Sequence, residues 1–407
     1  SLAAKADPHV KAHVDARALQ MAAEDAPRDT ARLAAYRKAL DTAIAAFPND
    51  VELLLKRGMA ESPDPAERGQ GSVLASIPFY ERATKSFAAQ HYKAHALENN
   101  GRMKEAVEAA SAYASQAASV PHARHMHGHE LRRTGRITEA IAQFEAADKL
   151  QRDYLAREKI APELDWHHAH NLDLLAASYQ YVGQMRKAEA LLKQAFSLPT
   201  SLLVQAVNKR DYPAFLVGRG RVEEGFKVAQ SLTTHPHPVV QATGHIEAGF
   251  ALLAMNRFGD AATTSNAALR ALKIAPDGQG LAVIPLEALQ GEFRLRTAQR
   301  EQGRQGMERA AQKWRALPGP DAWTQSLFRL EALARSARQV GDWSLAARMA
   351  QLMLEHDPDY AGTHYALALV AQHDGNAPTA RREFDLALKA WANADTDLPE
   401  LAIARKK

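Results

Sequence analysis

The chain contains no cysteine among its 407 residues, which excludes disulfide bonds, thiolate metal sites and a cysteine nucleophile. Aromatic residues are scarce at 7%, and no apolar run approaches the roughly 18 to 20 residues that a membrane-spanning helix requires. The chain also lacks a large excess of charge of one sign, because 51 basic residues nearly balance 47 acidic ones. No stripe of basic residues recurs along the sequence. Nucleic acid is therefore not expected as a partner. What remains is the composition of a soluble globular protein whose many alanines favour helices.

The start of the chain leaves two hypotheses about its cellular compartment. The sequence begins at Ser1 without an initiator methionine, and no signal peptide is visible. Removal of an upstream segment, with export to the periplasm, is one hypothesis. A cytoplasmic location is the other.

A period of 34 residues is the clearest pattern in the sequence. Histidine, glycine and alanine all recur at this spacing, in the pairs His91 and His125, His95 and His129, Gly101 and Gly135, and Ala106 and Ala140. Gly341 and Gly375 repeat the same spacing near the C-terminus. A fixed period of this length predicts a stack of helix-turn-helix units, in which small residues let two antiparallel helices approach closely.

The copy that begins at Pro121 resembles the consensus of the tetratricopeptide repeat (TPR) family at every characteristic place. The matching residues are Gly128, Leu131, Gly135, Ala140, Phe144 and Ala147. The resemblance implies an all-α fold, a right-handed superhelical solenoid of about nine or ten TPR-like helix pairs. It also implies a concave groove that binds a protein or peptide partner.

The match to the repeat pattern varies along the chain and predicts four segments. These are N-terminal helices and early repeats over 1–86, histidine-rich repeats over 87–202, degenerate repeats over 203–320, and C-terminal repeats over 321–407. A stretch rich in Pro and Gly over 62–72 predicts a loop. About 14 extra residues around 151–164 predict an insertion beside the histidine-rich repeats, where it can cover a site.

The recurring histidines are the strongest indication of function, because the repeat fold does not need them. His91 and His95 lie one turn apart on one helix face, and His125 and His129 repeat that arrangement. The resemblance implies that these places face the groove. Adjacent first helices lie about 8 to 10 Å apart, so the four imidazoles are expected to converge on one metal ion. On ligand type alone the ion is Zn, Cu, Fe, Ni or Mn.

The neighbouring repeats offer further ligands and groove residues. Additional predicted metal ligands are His168, His170, Asp173 and Glu98, and His122 and Arg132 are predicted to line the groove. His9 and His13 form another pair one turn apart, but a solvated face is the preferred interpretation for them.

Several functional interpretations of the histidines stay open. The imidazoles can hold a metal ion, hydrogen-bond a peptide in a polar groove, or make the groove sensitive to pH. A metal-dependent enzyme or metal carrier is the alternative to a scaffold, with Glu98, Glu130 and Asp173 as the available carboxylates. His129-Glu130 does not continue into the zincin motif, since its second histidine is missing. The segment from His122 to Gly183 also resembles a sparsely characterised, histidine-bearing TPR branch, which implies no agreed activity.

Overall fold

The computed structural model describes residues 6–62, 73–317 and 320–406, and over these residues every regular element is helical. The prediction of an all-α array of helix pairs is confirmed. Residues 63–72 of the predicted loop, and Ser1, lie outside the described residues. Within the described ranges, no helix is both long enough and apolar enough to cross a bilayer.

The chain divides into two compact units, residues 1–150 and residues 151–407. The four segments predicted from the sequence are a finer division and stay a prediction. The helices of the first unit are α1 Pro8–Glu24, α2 Thr30–Ala46, α3 Val51–Met59, α4 Ile77–Arg82, α5 Phe87–Asn99, α6 Met103–Gln116 and α7 Pro121–Arg133. Helix α8, Ile137–Glu158, begins in the first unit and ends in the second.

The second unit also consists of helices that pack in pairs. Its helices are α9 Trp166–Tyr181, α10 Met185–Ser197, α11 Leu203–Asn208, α12 Asp211–Gly218, α13 Val222–Leu232, α14 Pro238–Ala254, α15 Phe258–Ile274, α16 Val283–Arg296, α17 Arg300–Arg315, α18 Pro320–Gln339, α19 Trp343–His356, α20 Ala361–His373, α21 Ala377–Ala390 and α22 Pro399–Ala404. Short 3-10 segments lie at Leu74–Ser76, Pro162–Leu164 and Pro276–Leu281.

Glycine ends the first helix of a pair because the turn requires a left-handed residue. Gly135 has φ of 76°, and the next amide, of Arg136, donates to the carbonyl of Leu131 at 3.0 Å. This bond closes the helix end and satisfies a carbonyl that the helix leaves unpaired. Asn256, with φ of 60°, does the same after α14, which is consistent with asparagine being the next residue to tolerate this conformation. The period predicted from the sequence therefore marks the turns at which the first helices of the pairs end.

Small residues at the crossing of paired helices explain the rest of the repeat pattern. A side-chain carbon added at Gly128 would lie 3.0 Å from the ring of Phe144 and 3.1 Å from the carbonyl oxygen of Ala140. Phe144 and Ala140 are fully buried. Helices α7 and α8 can therefore approach only because a glycine stands where they cross.

Aspartate caps the start of the first helices of the chain. Asp29 accepts a hydrogen bond from the amide of Ala31 at 3.0 Å at the start of α2. Asp50 accepts one from the amide of Leu53 at 2.9 Å at the start of α3. Each carboxylate satisfies an amide that the first helical turn leaves unpaired.

The helices of the second unit close on themselves. The amide of Asp395, after α21, donates to the carbonyl of Gly183 at 3.1 Å, and the carboxylate of Asp395 accepts from the amide of Arg186 at 2.8 Å. Arg219, after α12, makes a bidentate pair with Glu400 in α22 at 2.7 and 3.1 Å. The last helices of this unit are thus anchored to its first ones, which an open superhelix would not require.

Candidate metal centre

Helices of two neighbouring repeats carry the recurring histidines. His91 and His95 lie one turn apart on α5, and α7 carries His122, His125 and His129. Helix α7 packs directly against α5, and α6 packs against both. Residues three or four apart share a helix face, so the two helices can present several imidazoles to a common space.

Three of these imidazoles converge on one point. The Nε2 atom of His91 lies 3.1 Å from Nε2 of His95 and 3.0 Å from Nε2 of His122. One ligand atom from each residue lies within 4.8 Å of the others, and all three side chains are half-buried. Zinc–nitrogen bonds of about 2.0–2.1 Å in a tetrahedral site separate the nitrogens by about 3.3 Å, so a small outward movement would seat an ion. We call His91, His95 and His122 the histidine trio.

The trio lies against the aromatic ring of Tyr113. The ring centroid of Tyr113 is 5.2 Å from that of His91 and 6.4 Å from that of His122. Burial raises the pKa of Tyr113 to about 12. The phenol therefore keeps its proton at neutral pH and provides apolar packing beside the trio, not an anionic ligand.

A second cluster, of Glu98, His129 and Glu130, is fully buried. The Nδ1 atom of His129 and the Nη1 atom of Arg133 each lie 3.2 Å from Oε1 of Glu98. Burial works to raise the pKa of Glu98, but the positive charges of His129, Arg133 and His95 outweigh it and the pKa lies below its usual value. Burial, reinforced by the neighbouring Glu98 carboxylate, raises the pKa of Glu130. Two carboxyls whose pKa values are shifted in opposite directions thus share one buried cluster.

The predicted four-histidine centre is therefore distributed between two clusters. His91 and His95 meet His122, which the sequence predicts as a groove residue, whereas His129 contacts Glu98. The ring of His125 is buried, stacks on His122 with centroids 5.5 Å apart, and packs against Phe144 at 5.6 Å.

Arg132 is also buried, with only 1% of its surface exposed. The predicted place of Arg132 in the groove stays a prediction. His122 remains half-buried within the trio.

The remaining predicted ligands lie on α9, in the second unit. His168 is buried, while His170 and Asp173 are half-buried. His170 lies near Trp166, with ring centroids 5.9 Å apart. Burial lowers the pKa of Lys209, and the negative charge of Asp173 partly opposes that shift. A shared metal centre for His168, His170 and Asp173 stays a prediction.

Sequence reasoning missed the approach of His122 to His91 and the burial of Glu130 beside Glu98. His122 stands three residues before His125 in the recurring frame, so it shares a helix face with a predicted ligand. That spacing is a usable signal. Glu130 gives none, because its burial against Glu98 depends on how α5 and α7 meet.

Comparisons with known proteins identify the repeat but not an activity. Residues 121–154 match the family model of the tetratricopeptide repeat. No curated protein matches the chain by sequence. The histidine-bearing branch stays a prediction.

Two solved structures resemble the chain along most of its length. One is the structure of Naa15/Naa10 bound to HypK-THB, with 13% identity, 97% of this chain covered and a TM-score of 0.30. The chain spans 65% of the length of that structure's chain. The other is yeast Tom70, with 11% identity, 95% of each chain covered and a TM-score of 0.37. Residues 121–154 thus match one tetratricopeptide repeat, and paired helices precede and follow it in the chain.

Proposed function

We propose that the protein is a scaffold that binds a protein or peptide partner in its groove, and that the histidine trio holds a divalent transition-metal ion. The observation that carries the metal site is the approach of two Nε2 atoms to the Nε2 of His91, at 3.1 and 3.0 Å.

Hydrogen bonding alone accounts poorly for this arrangement. An imidazole nitrogen has either one in-plane proton or one in-plane lone pair. The Nε2 of His91 can therefore form one well-aligned hydrogen bond with His95 or with His122, but not with both. A cation between the three rings accepts all three lone pairs at once and removes the conflict.

The ligand set favours particular metals. Neutral imidazoles suit Zn, Cu, Ni and Fe better than Mn, which prefers oxygen ligands. Three protein ligands also leave at least one coordination position for water or for a group of the partner. Because the ligands come from α5 and α7, a bound ion would join two successive repeats and oppose their separation.

A partner is proposed because stacked helix pairs present an extended concave surface, the usual binding surface of repeat proteins. The partner is a protein or peptide. A metal with an open position can contribute to that interaction by binding a histidine or carboxylate of the partner.

Metal-dependent catalysis is the second candidate function, and the buried carboxyl pair beside the trio favours it. Glu98 follows His95 by three residues on α5 and shares its helix face, so the pair could act as an acid or base toward a water bound at the trio. A single protonated carboxyl next to a carboxylate is also a common arrangement for moving a proton.

The proposal is tested by measuring Zn²⁺ binding to the full chain by titration calorimetry, after metal analysis of protein purified without added metal. We expect His122→Ala to weaken binding at the trio by at least about tenfold, because loss of an outer-shell partner alone commonly costs that much. His127→Ala is the matched control, since His127 lies on the same helix but interacts with Gln143 of α8.

The control should retain wild-type affinity. Unchanged affinity and stoichiometry in His122→Ala, or loss of binding in His127→Ala alone, would contradict the trio as the site. If His122→Ala loses both metal binding and helical content, the variant His95→Gln separates the two effects. Glutamine keeps the approximate size of the side chain but removes the imidazole ligand.

A further inference from the structure

A second group of metal-ligand side chains lies at the other end of the first unit, far along the sequence from the trio. His9 and His13 lie one turn apart on α1, and Asp50 precedes α3. The Nε2 of His13 lies 2.9 Å from Oδ2 of Asp50, and the Nε2 of His9 contacts the same oxygen. One ligand atom from each residue lies within 4.8 Å of the other two. The two histidines thus meet an acidic side chain on a face that leaves His9 exposed.

The contacts of Asp50 divide its two carboxylate oxygens between separate tasks. Oδ1 accepts from the amide of Leu53 at 2.9 Å and caps α3, which fixes the orientation of the carboxylate. Oδ2 is left to face both imidazoles. A carboxylate held by a backbone hydrogen bond is oriented as metal-ligating carboxylates usually are.

The two imidazoles are also positioned by their surroundings. The ring of His9 packs edge-on against Phe47, with centroids 4.8 Å apart, and lies nearly perpendicular to the ring of His13 at 4.9 Å. His13 is 20% exposed and His9 is 46% exposed. One side of the group is thus packed, and the other is open to an ion from solvent.

We propose that His9, His13 and Asp50 form a second metal site, which binds a divalent first-row transition ion such as Zn²⁺. Two imidazole nitrogens and one carboxylate oxygen are a common three-residue ligand set for such ions, and water completes the coordination. The site is separate from the trio and independent of the function proposed for it. Because its ligands come from α1 and from the start of α3, a bound ion would hold the N-terminal helix onto the repeats that follow it.

The greater exposure of His9 predicts weaker binding here than at the trio. Exposed side chains lose more conformational freedom when they become ligands, and water competes for the ion. The chain should therefore bind two ions in two steps, with the trio filled first.

The test uses the full chain carrying His91→Ala and His122→Ala, so that the trio can no longer bind metal. In this background we expect Zn²⁺ titration calorimetry to detect one remaining site. Adding Asp50→Asn should weaken that site by at least about tenfold, because the charged ligand is lost. Asparagine is as good a helix cap as aspartate, so α3 should keep its start.

Asp29→Asn is the matched control, because Asp29 caps α2 in the same way but has no histidine at its carboxylate in the contacts described for it. It should leave Zn²⁺ affinity unchanged. Co²⁺ provides a second measurement. Co²⁺ bound at this site should give a visible absorption band, and Asp50→Asn should remove that band.

The second site would be overturned if the chain with His91→Ala and His122→Ala bound no Zn²⁺, or if its Zn²⁺ affinity were the same with and without Asp50→Asn. Neither result affects the trio, which is measured in the chain that keeps Asp50. Conversely, if the trio fails its own test, one equivalent that depends on Asp50 still supports the second site.

Discussion

The two units differ in the ionisable side chains that they bring together. In the second unit opposite charges pair: Arg329 with Glu247 at 2.8 Å, and Arg296 with Glu292 at 2.7 Å. These residues border a cavity of about 220 Å³. In the first unit, groups of the same kind also meet: three imidazoles form one cluster, and two carboxyls lie beside His129 in another.

Paired opposite charges and convergent like groups have different physical requirements. A guanidinium beside a carboxylate satisfies both charges without any further component. Like groups that converge need something else, either a proton shared between carboxyls or a cation between imidazoles. Buried ion pairs of the second unit therefore need no ligand, whereas the convergent imidazoles of the first unit are the ones that the proposed function gives to a metal ion.

The largest expected effect comes from breaking a pair of the second unit. Replacing Arg329→Met leaves the nearly buried Glu247 without its closest cation, and we expect a loss of about 3–5 kcal/mol in the free energy of unfolding. The double variant Arg329→Met with Glu247→Leu should recover most of that loss, since a well-packed apolar pair can replace a buried ion pair. Urea denaturation measures both. A double variant as unstable as the single one would mean that the pair does more than balance charge.

A smaller effect, of opposite sign, is expected in the first unit from Glu130→Gln. Because the folded pKa of Glu130 is raised, folding takes up a proton above the unfolded pKa of 4.5. The wild-type contribution to stability is fully present below that value and falls as the pH rises toward the folded pKa. The variant avoids this cost, so at pH 7 we expect it to be more stable by about 2 kcal/mol.

The advantage of Glu130→Gln should shrink as the pH falls toward 4.5. Glu139→Gln is the control, because Glu139 is exposed on α8 and pairs with Arg136. Thermal unfolding of the three proteins across this pH range gives the comparison. An advantage that grows at low pH would show that Glu130 is ionised in the folded protein.

The smallest expected effect concerns the glycines that end helices in both units. Gly101 and Gly341 end helices at φ of 74° and 73°, and neither has an atom within 4 Å of the place where a side chain would begin. Alanine at either position should therefore cost only the backbone strain, about 1–2 kcal/mol. Asparagine should cost less, as Asn256 occupies the same kind of turn. A much larger loss at one position would mean that the repeats of the two units are built differently.

The repeat fold was predictable because its signals are local. The glycine that ends a helix and the small residue at a helix crossing each leave a mark in the sequence, as Gly101 and Gly135 do for the turn and Gly128 does for the crossing. The convergence of the histidines was only partly predictable. A shared helix face follows from spacing, as for His91 and His95, whereas the partner across the helix pair depends on the offset between α5 and α7.

The sequence alone therefore determined that the chain is a helical array with imidazoles one turn apart, because turns and helix faces depend on residues close together in the chain. Only the tertiary structure decided that His122 completes the trio, that Asp50 meets His9 and His13, and that the second unit closes on itself. Those contacts depend on differences of a few ångströms in helix offset and side-chain rotamer, which the packing of many residues sets together.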